Sequence, residues 1–133
     1  MRRLPALLAV AAVGATALVG CGDEPSYHRA RDGVLRVTLD EYRLRPANFE
    51  VRAGRVHLLA VNRGRLTHNL AIESIEREDG SEPTLYGRTD TLHPGERGRE
   101  QKPIVLRPGT YRLTCTIGNH DDLGQYGQLK VVK

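Results

Sequence analysis

Methionine is almost missing from this chain: of 133 residues only Met1 carries a thioether, tryptophan is absent, and one phenylalanine and five tyrosines are the only aromatics beside five histidines. Basic charge is not concentrated either. Lys and Arg number 20 against 16 Asp and Glu, and setting aside Arg2 and Arg3 at the extreme N-terminus leaves 18 against 16. A near-balanced surface with no basic patch interleaved with aromatics gives nucleic-acid binding no support. Cysteine is scarce, with Cys21 and Cys115 alone. A domain of about 100 residues buries enough apolar surface to fold unaided, so neither a disulfide nor a metal is needed to explain its stability.

The N-terminus accounts for one of the two cysteines. MRRLPALLAVAAVGATALVGC begins with two arginines, continues as an apolar run relieved only by small residues, and ends at Cys21. That pattern describes a secretory signal peptide, too short with its flanks for a spanning helix. Leu18-Val19-Gly20-Cys21 resembles the lipobox of bacterial lipoproteins, and the resemblance implies that Cys21 receives a lipid on sulfur and becomes the new N-terminus. The expected organisation is a signal peptide over 1–20, a lipidated N-terminus with a flexible tether over 21–33, and a folded domain over 34–133. The domain would then stand outside the cytoplasm on a cell membrane, on its periplasmic or cell-surface side. The polar tether GDEPSYHRARDG reaches roughly 20 Å. Two consequences bear on chemistry. Cys115 is left as a lone thiol in an oxidising compartment, where thiols pair, oxidise or bind metal; and no thioether survives processing.

Short strands dominate the remainder. In VLRVTLD, Leu35, Val37 and Leu39 alternate with Arg36, Thr38 and Asp40, the period of a half-buried strand. NFEVRAG repeats it, with Phe49 and Val51 inward. RVHLLAVNRG reads as a more buried central strand, apolar from Val56 to Val61 apart from His57, and closes in the Asn62-Arg63-Gly64 turn. LTHNLAIES places His68, Leu70 and Ile72 on one side. Residues 74–90 lose periodicity and suit an excursion with a short helix or hairpin. Pro94-Gly95 and Pro108-Gly109 mark turns around a strand near Ile104 to Leu106; TYRLTC then points Tyr111, Leu113 and Cys115 inward, and GQLKVVK is the last strand. Seven or eight short strands with almost no helical periodicity indicate an all-β, antiparallel sandwich.

Cys115 stands at the inward end of one strand, with His120 and Gln125 in the loop leading to the final strand, at C-x4-H-x4-Q spacing. A mononuclear site needs a further ligand from elsewhere, and His68 is the best placed by its inward phase. Thiolate, two imidazoles and a weak fourth donor form the set that suits copper in a trigonal electron-transfer site.

HN at 68–69 after a strand, LRPGTYRLTC at 106–115, C-x4-H at 115–120 and GQYGQLKVV at 124–132 together resemble the blue-copper cupredoxins, over nearly all of residues 34–133. The resemblance implies a Greek-key sandwich, one type 1 copper held by His68, Cys115 and His120, Asn69 bracing the two ligand loops, and redox proteins as electron donor and acceptor for a monomeric carrier. Gln125 falls where most members have Met, as in stellacyanin-like members that use an amide oxygen; a backbone carbonyl near Thr67 is the rival axial donor. Two departures from the family stand out. Gly118-Asn119 replaces the usual Pro-Gly before the second histidine, and Asp121-Asp122 follows His120 where relatives are often apolar.

His28 in the tether and His93 in a His-Pro-Gly turn read as surface residues, and His57 faces solvent or a neighbouring strand. A nucleophilic cysteine enzyme lacks any recognisable signature for its oxyanion hole and third group. A binuclear copper centre requires a second cysteine, and zinc leaves the weak axial donor unexplained. Beside electron transfer, a copper-delivery module and a partner-binding domain without redox turnover remain open.

Overall fold

The computed structural model describes residues 22, 24–75 and 79–133; residues 1–20, read above as a signal peptide, and Cys21 lie outside them. Eleven strands and, among the described residues, no helix make up the fold: β1 (His28–Ala30), β2 (Val34–Asp40), β3 (Arg43–Arg45), β4 (Phe49–Arg52), β5 (Gly54–Asn62), β6 (Ala71–Ser74), β7 (Leu85–Arg88), β8 (Arg97–Arg99), β9 (Ile104–Leu106), β10 (Gly109–Thr114) and β11 (Tyr126–Val132). One sheet has the order β1-β4-β11-β10-β6-β7, the other β3-β2-β5-β8, with β9 pairing β5 beyond that path.

Alternation in the sequence fixes which side chains enter the core. Leu35, Val37 and Leu39 of β2 are buried while Arg36 is exposed, and Gly127, Leu129 and Val131 of β11 alternate with exposed Gln128 and Lys130. Phe49, Ile72, Leu113 and Leu129 are wholly excluded from solvent, and each such side chain contributes about 1.5–3 kcal/mol.

Three expectations need correction. The sheets are mixed rather than antiparallel: β1 with β4, β4 with β11 and β2 with β5 run parallel. Alternation reports which face a side chain takes and says nothing of strand direction. The segment read as tether contains β1, whose Ala30 is buried and whose His28 packs edge-on against Phe49. Polar composition hides an edge strand that contributes one side chain to the core. The expected continuous burial of β5 is instead an alternation, with His57, Leu59 and Val61 half-buried on the second face. Residues 85–88 form β7, antiparallel to β6 through a bulge at Ile72/Glu73, so of the helix or hairpin expected of residues 74–90 the hairpin is the one present.

On that second face of β5, His57 Nδ1 donates to Glu100 Oε1 at 2.6 Å and the Leu58 N–H donates to Glu100 Oε2 at 2.9 Å. Burial alone raises the Glu100 pKa, but these hydrogen bonds outweigh it and hold the carboxyl below its ordinary value. A depressed folded-state pKa contributes stability that is present above the unfolded pKa and lost as pH falls through the folded one. Glu100→Gln should therefore flatten the acid limb of stability against pH, measured by urea unfolding across a pH series below neutrality.

Strand ends gather at one pole. Thr114, the last residue of β10, stands opposite Tyr126 at the start of β11 and Ala71 at the start of β6. The β2–β3 turn, closed by the Asp40 and Arg43 pair, joins them through contacts described below.

Candidate metal centre

The chain leaves β10 at Cys115, whose N–H donates to the Gln125 carbonyl at 3.1 Å, closing the 115–125 loop at its base. Within the loop the Gln125 N–H bonds the His120 carbonyl at 3.0 Å, the His120 N–H bonds Ile117 at 3.2 Å and the Gly124 N–H bonds Asp121 at 2.9 Å. Gly118 and Gly124 adopt φ of +54° and +109°, a region costly for other residues. The loop with Gly118-Asn119 in place of Pro-Gly is thus held by its own backbone hydrogen bonds.

His68 arrives from the loop before β6. Its N–H donates to Leu92 O at 3.1 Å and its carbonyl accepts from Leu92 N at 2.7 Å, so both backbone polar groups are pinned to Leu92. Cys115 Sγ then lies 4.0 Å from His68 Nδ1 and 3.7 Å from His120 Nδ1, and the three donors all fall within 4.8 Å of one another. Two donors sharing one first-row metal at the usual sulfur and nitrogen bond lengths, spread as in a trigonal plane, stand about 3.8 Å apart. The spacing fits a single ion. His68 and Cys115 are wholly buried and His120 is half-buried. Among the described residues no other three His, Cys, Asp or Glu side chains bring donors together in this way.

Gln125 is wholly buried beside this cluster. Its Nε2 donates to the Asp40 carbonyl at 2.7 Å and toward that of Arg43 at 3.4 Å, which anchors the amide nitrogen in the β2–β3 turn. Its Oε1 is buried with no hydrogen-bond partner. An unsatisfied buried acceptor costs about 1–3 kcal/mol, and such a group in a native fold asks for an explanation such as an ion. Gln125 is also near enough to His68 to favour its charged form.

Asn69 ties the two ligand segments together. Its Nδ2 donates to Thr116 Oγ1 and its Oδ1 accepts from the Thr116 N–H, both at 2.8 Å, while its own N–H faces Cys115 Sγ at 3.5 Å. Asn69→Ala leaves the Thr116 N–H without its partner, so the metal-free protein should lose about 1–3 kcal/mol in chemical unfolding.

Burial pushes the Cys115 thiol up, against the N–H groups of Asn69 and Ile117, and Asp121 adds to the rise. A thiol held protonated is not an activated nucleophile. Burial and the neighbouring His120 push His68 down, with Gln125 and Glu41 opposing; a neutral imidazole keeps a lone pair for a metal.

His57 is engaged with Glu100, His28 lies on β1 and His93 is exposed, so none of them joins the cluster. Three participants escaped the reading of the sequence. Tyr42, in a left-handed turn at φ 58°, sets its ring edge-on to His120 with centroids 5.5 Å apart. Buried Asn62 bonds the Leu66 and Leu92 carbonyls at 2.7 and 2.9 Å and accepts from Gly64 N at 2.9 Å, shaping the loop that delivers His68. Glu41 lies with Oε1 3.7 Å from His68 Nε2. An Asn-Arg-Gly turn was the one legible trace of any of these.

No protein-family model and no curated protein matches the sequence. Solved structures do match the fold. The dithionite-reduced auracyanin of the photosynthetic bacterium Roseiflexus castenholzii aligns over 78% of this chain and 100% of its own, with TM-score 0.65 and 19% identity. The chain has a cupredoxin-like β-sandwich fold. Auracyanin B aligns over 83% of this cupredoxin-like chain and 93% of its own, with TM-score 0.62 and 19% identity. Auracyanin A, a "blue" copper protein from the green thermophilic photosynthetic bacterium Chloroflexus aurantiacus, covers 74% and 98%, with TM-score 0.63 and 15% identity.

Proposed function

We propose that this chain carries single electrons outside the cytoplasm through one copper ion, with His68, Cys115 and His120 as the principal ligands and Gln125 Oε1 as the weak axial donor. One observation carries the reading: a buried thiol lies 4.0 and 3.7 Å from the Nδ1 atoms of two imidazoles, with one donor from each of the three residues within 4.8 Å of the others. The unpartnered Gln125 oxygen beside them supports the amide over the rival backbone carbonyl near Thr67. The likeness to auracyanin A, described as a blue copper protein, agrees with it. Bound copper supplies a one-electron couple, Cu(II) to Cu(I).

The protein's part is to hold its donors still. Cys115 and His68 are fixed by backbone hydrogen bonds, Gln125 by its amide nitrogen, and Asn69 locks one ligand segment to the other. Ligands that cannot relax toward the geometry preferred by either oxidation state keep reorganisation small. The half-buried ring of His120 is the edge nearest solvent and serves as the electron port. Asp121, paired with Arg112 at 3.6 Å, and exposed Asp122 border it and suit a basic redox partner as donor or acceptor. Cys21 carries the lipid that keeps the chain at the membrane.

Voltammetry of the copper-loaded protein, followed by a chelator challenge, separates this reading from the alternatives. A reversible one-electron wave with slow copper loss supports the carrier. Ready surrender of copper to the chelator would make the chain a delivery module, and no copper uptake would leave a partner-binding domain.

A further inference from the structure

The nitrogen of His68 that turns away from Cys115 is buried and has no hydrogen-bond partner. The group facing it is a carboxylate from a different part of the chain. Glu41, in the β2–β3 turn, brings Oε1 to 3.7 Å from His68 Nε2, with the His68 side chain wholly buried and that of Glu41 35% exposed. The same oxygen accepts the N–H groups of Arg65, in a short contact, and of Leu66, at 3.1 Å. The loop that delivers His68 is therefore folded around this carboxylate.

Gly64 provides a second, independent sign that the approach is built in. A Cβ at position 64 would lie 2.2 Å from Glu41 Oε1 and 3.1 Å from His68 Nε2. Any other residue there would sit against both partners at their point of meeting. Gly64 is itself held by Asn62 Oδ1, so the space is kept by a braced turn.

We infer that Glu41 is the positioning residue of the centre: its carboxylate draws the proton of His68 to Nε2 and thereby keeps the Nδ1 lone pair turned toward Cys115 Sγ. A neutral imidazole carries one N–H, and the acceptor near one nitrogen decides which nitrogen keeps it. Closing the contact to a charge-assisted hydrogen bond of about 2.8 Å takes an adjustment of less than about 1 Å. Carboxylate partners of ligating histidines fix tautomer and ring orientation and raise ligand basicity. The effect on metal binding rests on the copper reading above; the tautomer claim does not.

The test is imidazole 15N NMR of the metal-free protein, followed by Cu(II) competition titration, on wild type, Glu41→Gln, Glu41→Ala and Gly64→Ala. The expected wild-type signal is the Nε2–H form. Glu41→Ala should lower its ratio to the Nδ1–H form by about tenfold, the equivalent of one hydrogen bond to a charged group. Gly64→Ala should move the ratio the same way with Glu41 present. Cu(II) affinity should fall about 10- to 100-fold in the Ala variants. Glu41→Gln keeps an oxygen for the Arg65 and Leu66 N–H groups, so unchanged amide-exchange protection there with a shifted tautomer ratio would exclude a role limited to loop support. A wild-type Nδ1–H form, or a ratio indifferent to both Glu41 substitutions, overturns the inference. Should the tautomer respond as stated in a protein that takes up no copper, the copper reading fails and the positioning role stands.

Discussion

Cys115→Ser should abolish the intense visible band of the copper-loaded protein and lower Cu(II) affinity by more than about 100-fold, beyond what loss of an outer hydrogen-bond partner costs. The thiolate is the soft donor of the set and the source of any sulfur-to-copper charge-transfer absorption. Serine is a fair test because it nearly preserves shape: its oxygen can still accept the Asn69 N–H that faces Sγ at 3.5 Å. Exchanging a buried thiol for a hydroxyl costs about 1–3 kcal/mol, which leaves most of a typical domain's stability. A matched far-ultraviolet circular dichroism spectrum shows that the fold persists. If the variant kept the band, the color would have to arise elsewhere and Cys115 would leave the ligand set.

Gln125→Met should raise the reduction potential by more than about 60 mV, which for one electron is a tenfold shift in the preference between the two copper states. An amide oxygen is a harder donor than a thioether and favors Cu(II); exchanging it for sulfur favors Cu(I). The chain offers an unusually clean background, since its one methionine is Met1. The substitution also removes the hydrogen bonds that the amide donates to the Asp40 and Arg43 carbonyls. A stability loss of about 1–3 kcal/mol should accompany the change in potential. A potential that stayed put while stability fell would assign Gln125 to turn anchoring alone and return the axial position to a backbone carbonyl.

The parts of the centre that could be read from sequence are those whose meaning is local or compositional. Cys115 stood out because it lacked a partner, His120 because it follows at ligand spacing, and His68 because its phase matched Leu70 and Ile72. Glu41 carried no such mark. It lies in a turn 27 positions before His68, and only the closure of the β2–β3 hairpin onto the loop after β5 brings them together. Asn62 and Gly64 read as an ordinary turn because the hydrogen bonds that give them their role, to Leu92 and around Glu41, depend on the tertiary fold. For the fold, alternation located the inward residues of β2, β4 and β10. It was silent on the parallel pairings, which depend on which strands meet rather than on how each is patterned.

X-ray absorption at the copper edge of the loaded protein tests the central claim most directly, because it reads the atoms around the metal itself. The account predicts one sulfur and two imidazole nitrogens at about 2.0–2.3 Å, with the sulfur lost in Cys115→Ser. A first shell of oxygen and nitrogen with no sulfur would contradict it, since Cys115, His68 and His120 would then not share an ion.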